Sequence, residues 1–201
     1  MAFPGVSTPS VPSAGGGGGG ATPGEVDAFL RNAAEADDLM DQSSWNMVQA
    51  VASDAVVKKL KDERDAANKI QDPKEKEAQQ RKVRNDTADA AAKVDYDKAS
   101  KDVEKADAKK KEKVSYSMYN FALAVLKDTE LGMRAKNLCS GVPSPAIAPK
   151  LPKVKEFASN ISNQASNTGK VMAGIKKMMP AAGLKSLPTK ASDKPKAVSG
   201  D

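Results

Sequence analysis

The stretch Lys153–Pro180, KVKEFASNISNQASNTGKVMAGIKKMMP, has the clearest periodicity in this chain of 201 residues. Val154, Ala158, Ile161, Ala165, Thr168, Met172, Ile175 and Met179 recur at alternating steps of four and three. That rhythm puts them on one side of an α-helix. Phe157, Val171 and Met178 widen the stripe, and Ser159, Asn160, Ser162, Asn163, Ser166 and Asn167 fill the other side. Ser and Asn are modest helix formers, so this helix depends on something packed against it. Pro180 stops it. Lys153, Lys155, Lys170, Lys176 and Lys177 flank the stripe and allow a membrane-surface helix as an alternative. The strict heptad and the Ser/Asn face favour a protein partner.

A surface for that partner lies upstream. In Tyr116–Leu126, YSMYNFALAVL, apolar residues point around the whole helix. A helix apolar on all sides must be covered on all sides. The stretch is far shorter than the roughly 20 residues that cross a bilayer. Further upstream, two start signals are written in the same code. Thr22-Pro23-Gly24-Glu25 gives an N-cap, a Pro at the first helical position and a Glu that closes a capping box. Asp72-Pro73-Lys74-Glu75 repeats it.

These signals predict an all-α chain with an antiparallel, coiled-coil-like helical hairpin over 24–141, made of helices 24–71 and 73–140. The apolar stripe of the first helix runs through Val26, Phe29, Ala33, Ala36, Met40, Met47, Val51 and Ala55. That of the second runs through Ala88, Ala92, Tyr96, Ala99, Val103 and Ala106. Folding back at Asp72 would set Val51 opposite Lys93–Val94, Met40 opposite Val103–Glu104 and Phe29 opposite Lys113–Val114. The tip, around 58–86, is mostly charged and is expected to project. A Pro-rich connector, 142–152, leads to the amphipathic helix 153–180. Residues 1–23, uncharged and with six consecutive glycines, and the basic segment 181–201 are expected to be disordered tails.

Trp45, Ala52, Val56 and Leu60 lie off the main stripe and predict a second contact face. The interface residues expected from the whole pattern are Trp45, Val56, Met118, Phe121, Val125, Val154, Phe157, Ile161, Met172, Ile175 and Met179. They point to a homo-oligomer or a helical partner protein.

Composition narrows the chemistry. The chain has no His and one Cys, so it can build neither a Ser-His-Asp triad nor a Cys/His metal site. Only 4% of residues are aromatic, which disfavours a sandwich or barrel. The glycine run lacks the Lys-Ser/Thr ending of a phosphate-binding loop. Cys139 reads as a small packed residue. No catalytic residue, cofactor, metal or small-molecule substrate is expected. Net charge is +6, with residues 25–57 at −6 and residues 151–201 at +6, so the acidic front and basic back can attract each other. Lys109-Lys110-Lys111-Glu112-Lys113 and the basic tail give a weak nucleic-acid reading without interleaved aromatics.

The plan of the whole chain (uncharged start, helical hairpin, final amphipathic helix) resembles the secreted helical components of bacterial type III secretion systems. That resemblance implies a non-enzymatic structural or assembly protein, held in the cytoplasm before leaving by a Sec-independent route. The start carries no basic segment ahead of an apolar core, which fits such a route. One departure is that filament subunits end inside their last helix, whereas this chain continues past Pro180. A bacteriophage virion or ejected protein, and a cytosolic helical adaptor or chaperone, are the alternatives.

Overall fold

The computed structural model describes residues 21–140 and 144–198. Expectations for 1–20, for the stop at Gly141–Pro143 and for 199–201 lie outside the described residues. The fold is all-α, in the order α1 (Pro23–Val51), α2 (Asp54–Lys69), α3 (Pro73–Ala92), α4 (Tyr96–Glu104), α5 (Ala108–Cys139) and α6 (Leu151–Met178). No strand occurs among the described residues.

Both predicted starts form, the first as a complete capping box and the second through its Asp72 cap alone. The Thr22 hydroxyl accepts from the Glu25 amide at 3.3 Å, and Glu25 accepts from the Thr22 amide at 2.7 Å. The Thr22 amide and then the Thr22 hydroxyl, both donating to the Glu25 carboxyl, hold it below its ordinary range. Asp72 accepts from the Glu75 amide at 2.8 Å.

Each expected long helix is broken, and the breaks sit at acidic or hydroxyl caps. The first ends at Val51, with Ala52 and Ser53 extended, and restarts at Asp54. The second is interrupted twice. Asp95 caps α4 by accepting from the amides of Asp97 and Lys98. Asp107 caps α5 by accepting from the Lys110 amide at 2.7 Å. An N-cap side chain satisfies amides that a continuing helix would have bonded internally, so Asp95 and Asp107 stabilise fresh starts, whereas Ser53 before α2 makes no side-chain cap bond.

The breaks change the register. A long antiparallel pair is present, formed by α1 and α5. Phe29 shares an apolar cluster with Leu131 and Ala135, about five helical turns from the expected Lys113–Val114. Met47 and Val48 share another with Val114, Met118 and Phe121. The charged segment 58–86 does not project. It folds back as the α2/α3 hairpin, with Leu60, Ala67, Val83 and Thr87 buried. Arg64 of α2 reaches Asp41 of α1, and Gln80 of α3 reaches Asn68 of α2 at 3.1 Å.

Helix α6 lies on this frame within the same chain, parallel to α1, α3 and α4 and antiparallel to α5. Glu156 pairs with Arg81, Gln164 with Asn85, Asn167 with Asp89 and Lys177 with Asp97, in ascending order along both partners. Gly174 allows the closest approach: a β-carbon there would fall within the Tyr96 ring. The seam is less continuous than the heptad implied. Val154, Phe157, Val171, Ile175 and Met178 are buried, but Ala165 is exposed. Around Ala165 the helix meets α3 through amides instead.

The chain past Pro180 also differs from the expected tail. Gly183, at φ +70°, takes the left-handed conformation that terminates the helix, and the Leu184 amide donates to the Met179 carbonyl at 2.9 Å. Ala182 and Leu184 are buried in the core shared by α4, α5 and α6. The Asn120 side chain then clasps the Lys196 backbone by donating to its carbonyl and accepting from its amide, both at 2.8 Å. Composition marks this segment as unable to fold alone, but an existing apolar bed supplies what it lacks.

Candidate functional site

None of the eleven expected interface residues is fully exposed. Met118, Phe121, Val154, Phe157 and Ile175 are buried, and the other six are half-buried. Val125, Met172 and Met179 rest on the upper core with Met118, Phe121 and Ile175. Val154, Phe157 and Ile161 belong to the lower core, where the Phe29 and Phe157 rings meet edge-on at 5.6 Å. The expectation that the base around Met118–Leu126 must be covered is met by α1, α6 and the segment after α6, all from the same chain. Cys139 is half-buried at the edge of the lower core.

Trp45 has an internal partner. The Arg64 guanidinium stacks 4.8 Å from its ring centre while donating to both oxygens of Asp41 and to the Thr87 hydroxyl. A guanidinium can serve a ring face and a carboxylate at once because its charge is planar.

The surface that stays open is a groove of about 540 Å³ between α2, α3 and α4. Its apolar floor comes from Val51, Ala52, Val56, Leu60, Ala90, Val94 and Ala99. Its rim alternates Lys59, Lys93 and Lys98 with Asp86, Asp89, Asp95 and Asp102. The groove exists because the chain breaks at Ser53 and again at Lys93–Asp95, which splays the ends of three helices. Val56 and Ala52 of the predicted second face lie here; Trp45 does not. Elsewhere the only large hydrophobic residue strongly exposed among those described is Met133, and one such residue makes no patch.

A second opening, about 280 Å³, lies between α1, α3 and α6 and is lined by Asp37, Asp41, Ser44, Arg81, Arg84, Asp128 and Glu156 among others. Sequence reading missed it, because the acids fall on three faces that only the register brings together. Desolvation raises the Asp128 carboxyl to about 7, with the nearby Asp37 charge adding to it. Asp37 is raised too, first by desolvation and against the opposing pull of Arg84.

A third feature is the basic end. The start of α5 carries Lys109, Lys110, Lys111 and Lys113, and the basic segment after α6 is fastened to the same helix at Asn120 through Lys196. The Lys196 ammonium sits over the rings of Tyr116 and Tyr119, at 5.1 and 4.6 Å.

No helix among the described residues is long and apolar enough to cross a membrane. No group of His, Cys, Asp or Glu among them is arranged to hold a metal ion. No protein-family model, curated protein or solved structure matches the chain.

Proposed function

We propose that this chain is a non-enzymatic helical assembly protein that works by protein contact, with the α2/α3/α4 groove as its docking surface. The observation that carries this reading is the groove's apolar floor, where Val51, Ala52, Val56, Ala90 and Val94 stay half-buried around the buried Leu60 and Ala99. A helix of a second copy is the proposed occupant. Its fit rests on the rim, where both signs of charge alternate as they do along this chain's own helices. The sequence plan supports a place among secreted helical components of the type III kind, or among virion proteins, and supports export by a Sec-independent route.

The groove is tested by placing a charge on its floor. Light scattering of the wild type should show mass rising with concentration. Val56→Glu should abolish that rise without lowering helical content, because Val56 is only half-buried. A wild type that stays monomeric at every concentration would remove the self-assembly reading.

The basic end supports a second reading, an adaptor that binds phosphate-rich polymers. It predicts binding of duplex DNA that weakens steeply with salt and with removal of residues 181–201.

A further inference from the structure

We propose that a proton on Asp128 holds the middle of the bundle shut: α5 is clamped against α1 and α6 while this carboxyl is neutral, and the joint loosens when it ionises. This inference is independent of the docking groove.

The geometry begins with position. Asp128 lies on the inward face of α5, between Phe121 of the upper core and Leu131 of the lower core. Its Oδ1 is buried and has no hydrogen-bond partner. A buried carboxylate oxygen without a donor strongly disfavours the charged form, whereas a neutral carboxyl tolerates such a place far better.

The surrounding charges do not remedy this. From α1, Asp37 faces Asp128 and adds repulsion, and Asp41 is held by Arg64. From α3, Arg81 is engaged by Glu156 of α6, and Arg84 acts on Asp37, with Glu77 further along the same wall. From α6, Lys153 is the remaining cation of the lining. Two carboxyls therefore confront each other: Arg64 and Arg81 are paired with other acids, Arg84 acts on Asp37, and no cation is bonded to Asp128 Oδ1. Such a pair favours retaining a proton. Asp37 itself is exposed at the mouth of the cleft, so water reaches the pair and protons can exchange without global unfolding.

The sign follows from linkage. The Asp128 carboxyl is raised from 3.8 to about 7 by burial. Between these values the folded chain holds a proton that the unfolded chain has lost. Stability therefore falls as pH rises through the window, and the loss is complete above about 7. One such proton changes the folding equilibrium by up to about tenfold per pH unit. Asp37 acts in the same direction. Glu25 acts in the opposite direction, since its carboxyl is lowered, but its effect lies below 4.5 and outside the window.

The experiment is urea unfolding of the full chain, followed by circular dichroism at pH 5, 6, 7 and 8 and constant ionic strength. The wild type should lose midpoint steadily from pH 5 to 7 and then level off. Asp128→Asn should flatten most of that slope, so that its midpoint advantage over the wild type widens from pH 5 to pH 7 and then stays constant to pH 8. A flat wild-type profile, or an Asp128→Asn chain that keeps the full slope, would overturn the proposal. If the variant does not fold, carboxyl carbon NMR of the wild type decides. A resonance titrating near pH 7 sustains the proton, and titration of every carboxyl below pH 5.5 removes it.

Discussion

The bundle contains two apolar cores, one above and one below the charged layer around Asp37, Asp41 and Asp128, and they are built differently. The lower core joins α1, α5 and α6 through Phe29, Phe157, Leu131 and Val154, with Ile147 from the turn before α6 closing one side. The upper core draws Met47, Leu60, Ala91, Tyr96, Val103, Met118, Phe121, Ile175 and Leu184 from all six helices and from the segment beyond α6. The lower core is thus a three-helix junction fixed by one aromatic pair. The upper core ties local breaks, short helices and a non-helical strap into one unit. Many elements sharing one core make for cooperative loss, whereas few elements permit local opening.

Substitutions can break that contrast. The largest effect is expected from Phe121→Asp, which puts a charge at a site 3% exposed in the upper core. It should cost more than about 4 kcal/mol and remove most of the helical dichroism signal at 25 °C. If the signal survives, the upper core does not hold the molecule together. Phe157→Ala should be milder, about 3 kcal/mol. Its signature is local: amide exchange should quicken at the start of α1 and of α6 before it changes in α4. Equal acceleration at both ends would show that the cores are one unit. Asn120→Ala is the smallest, about 1 kcal/mol for the lost clasp on Lys196. Trypsin should then cut sooner after Lys190 or Lys196 while helical content holds. Unchanged cutting would mean that Leu184 and its apolar bed secure the strap unaided.

Much of the helical content was legible in the sequence, and the reasons are local. The caps at Thr22 and Asp72 carry their own chemistry, and the stripe of α6 carries its own period. The full cover required by Met118–Leu126 follows from the absence of any polar side. The breaks at Ser53, Asp95 and Asp107 were not read. An Asp among Lys and Ala looks the same on a solvated helix face as at a cap, and only the turn of the chain distinguishes them. The open groove and the Asp37–Asp128 layer depend on those breaks, so they were beyond reach too. Trp45 illustrates the other limit: its isolation from the stripe was visible, but Arg64, its partner, lies 19 positions away on a helix whose start had been missed.

The pairing of Asp27 with Lys150 spans 123 positions. The lower half of α1 therefore meets α5 and the turn before α6 late in synthesis, whereas Arg64 can reach Asp41 and Trp45 much earlier and α2 and α3 can zip together at once. Non-local closure of this kind slows folding and leaves sticky surface waiting. Nascent α1, with Val26, Phe29 and Met47 uncovered, is the segment that a holding chaperone would grip, and the arrival of α5 is the event that would free it.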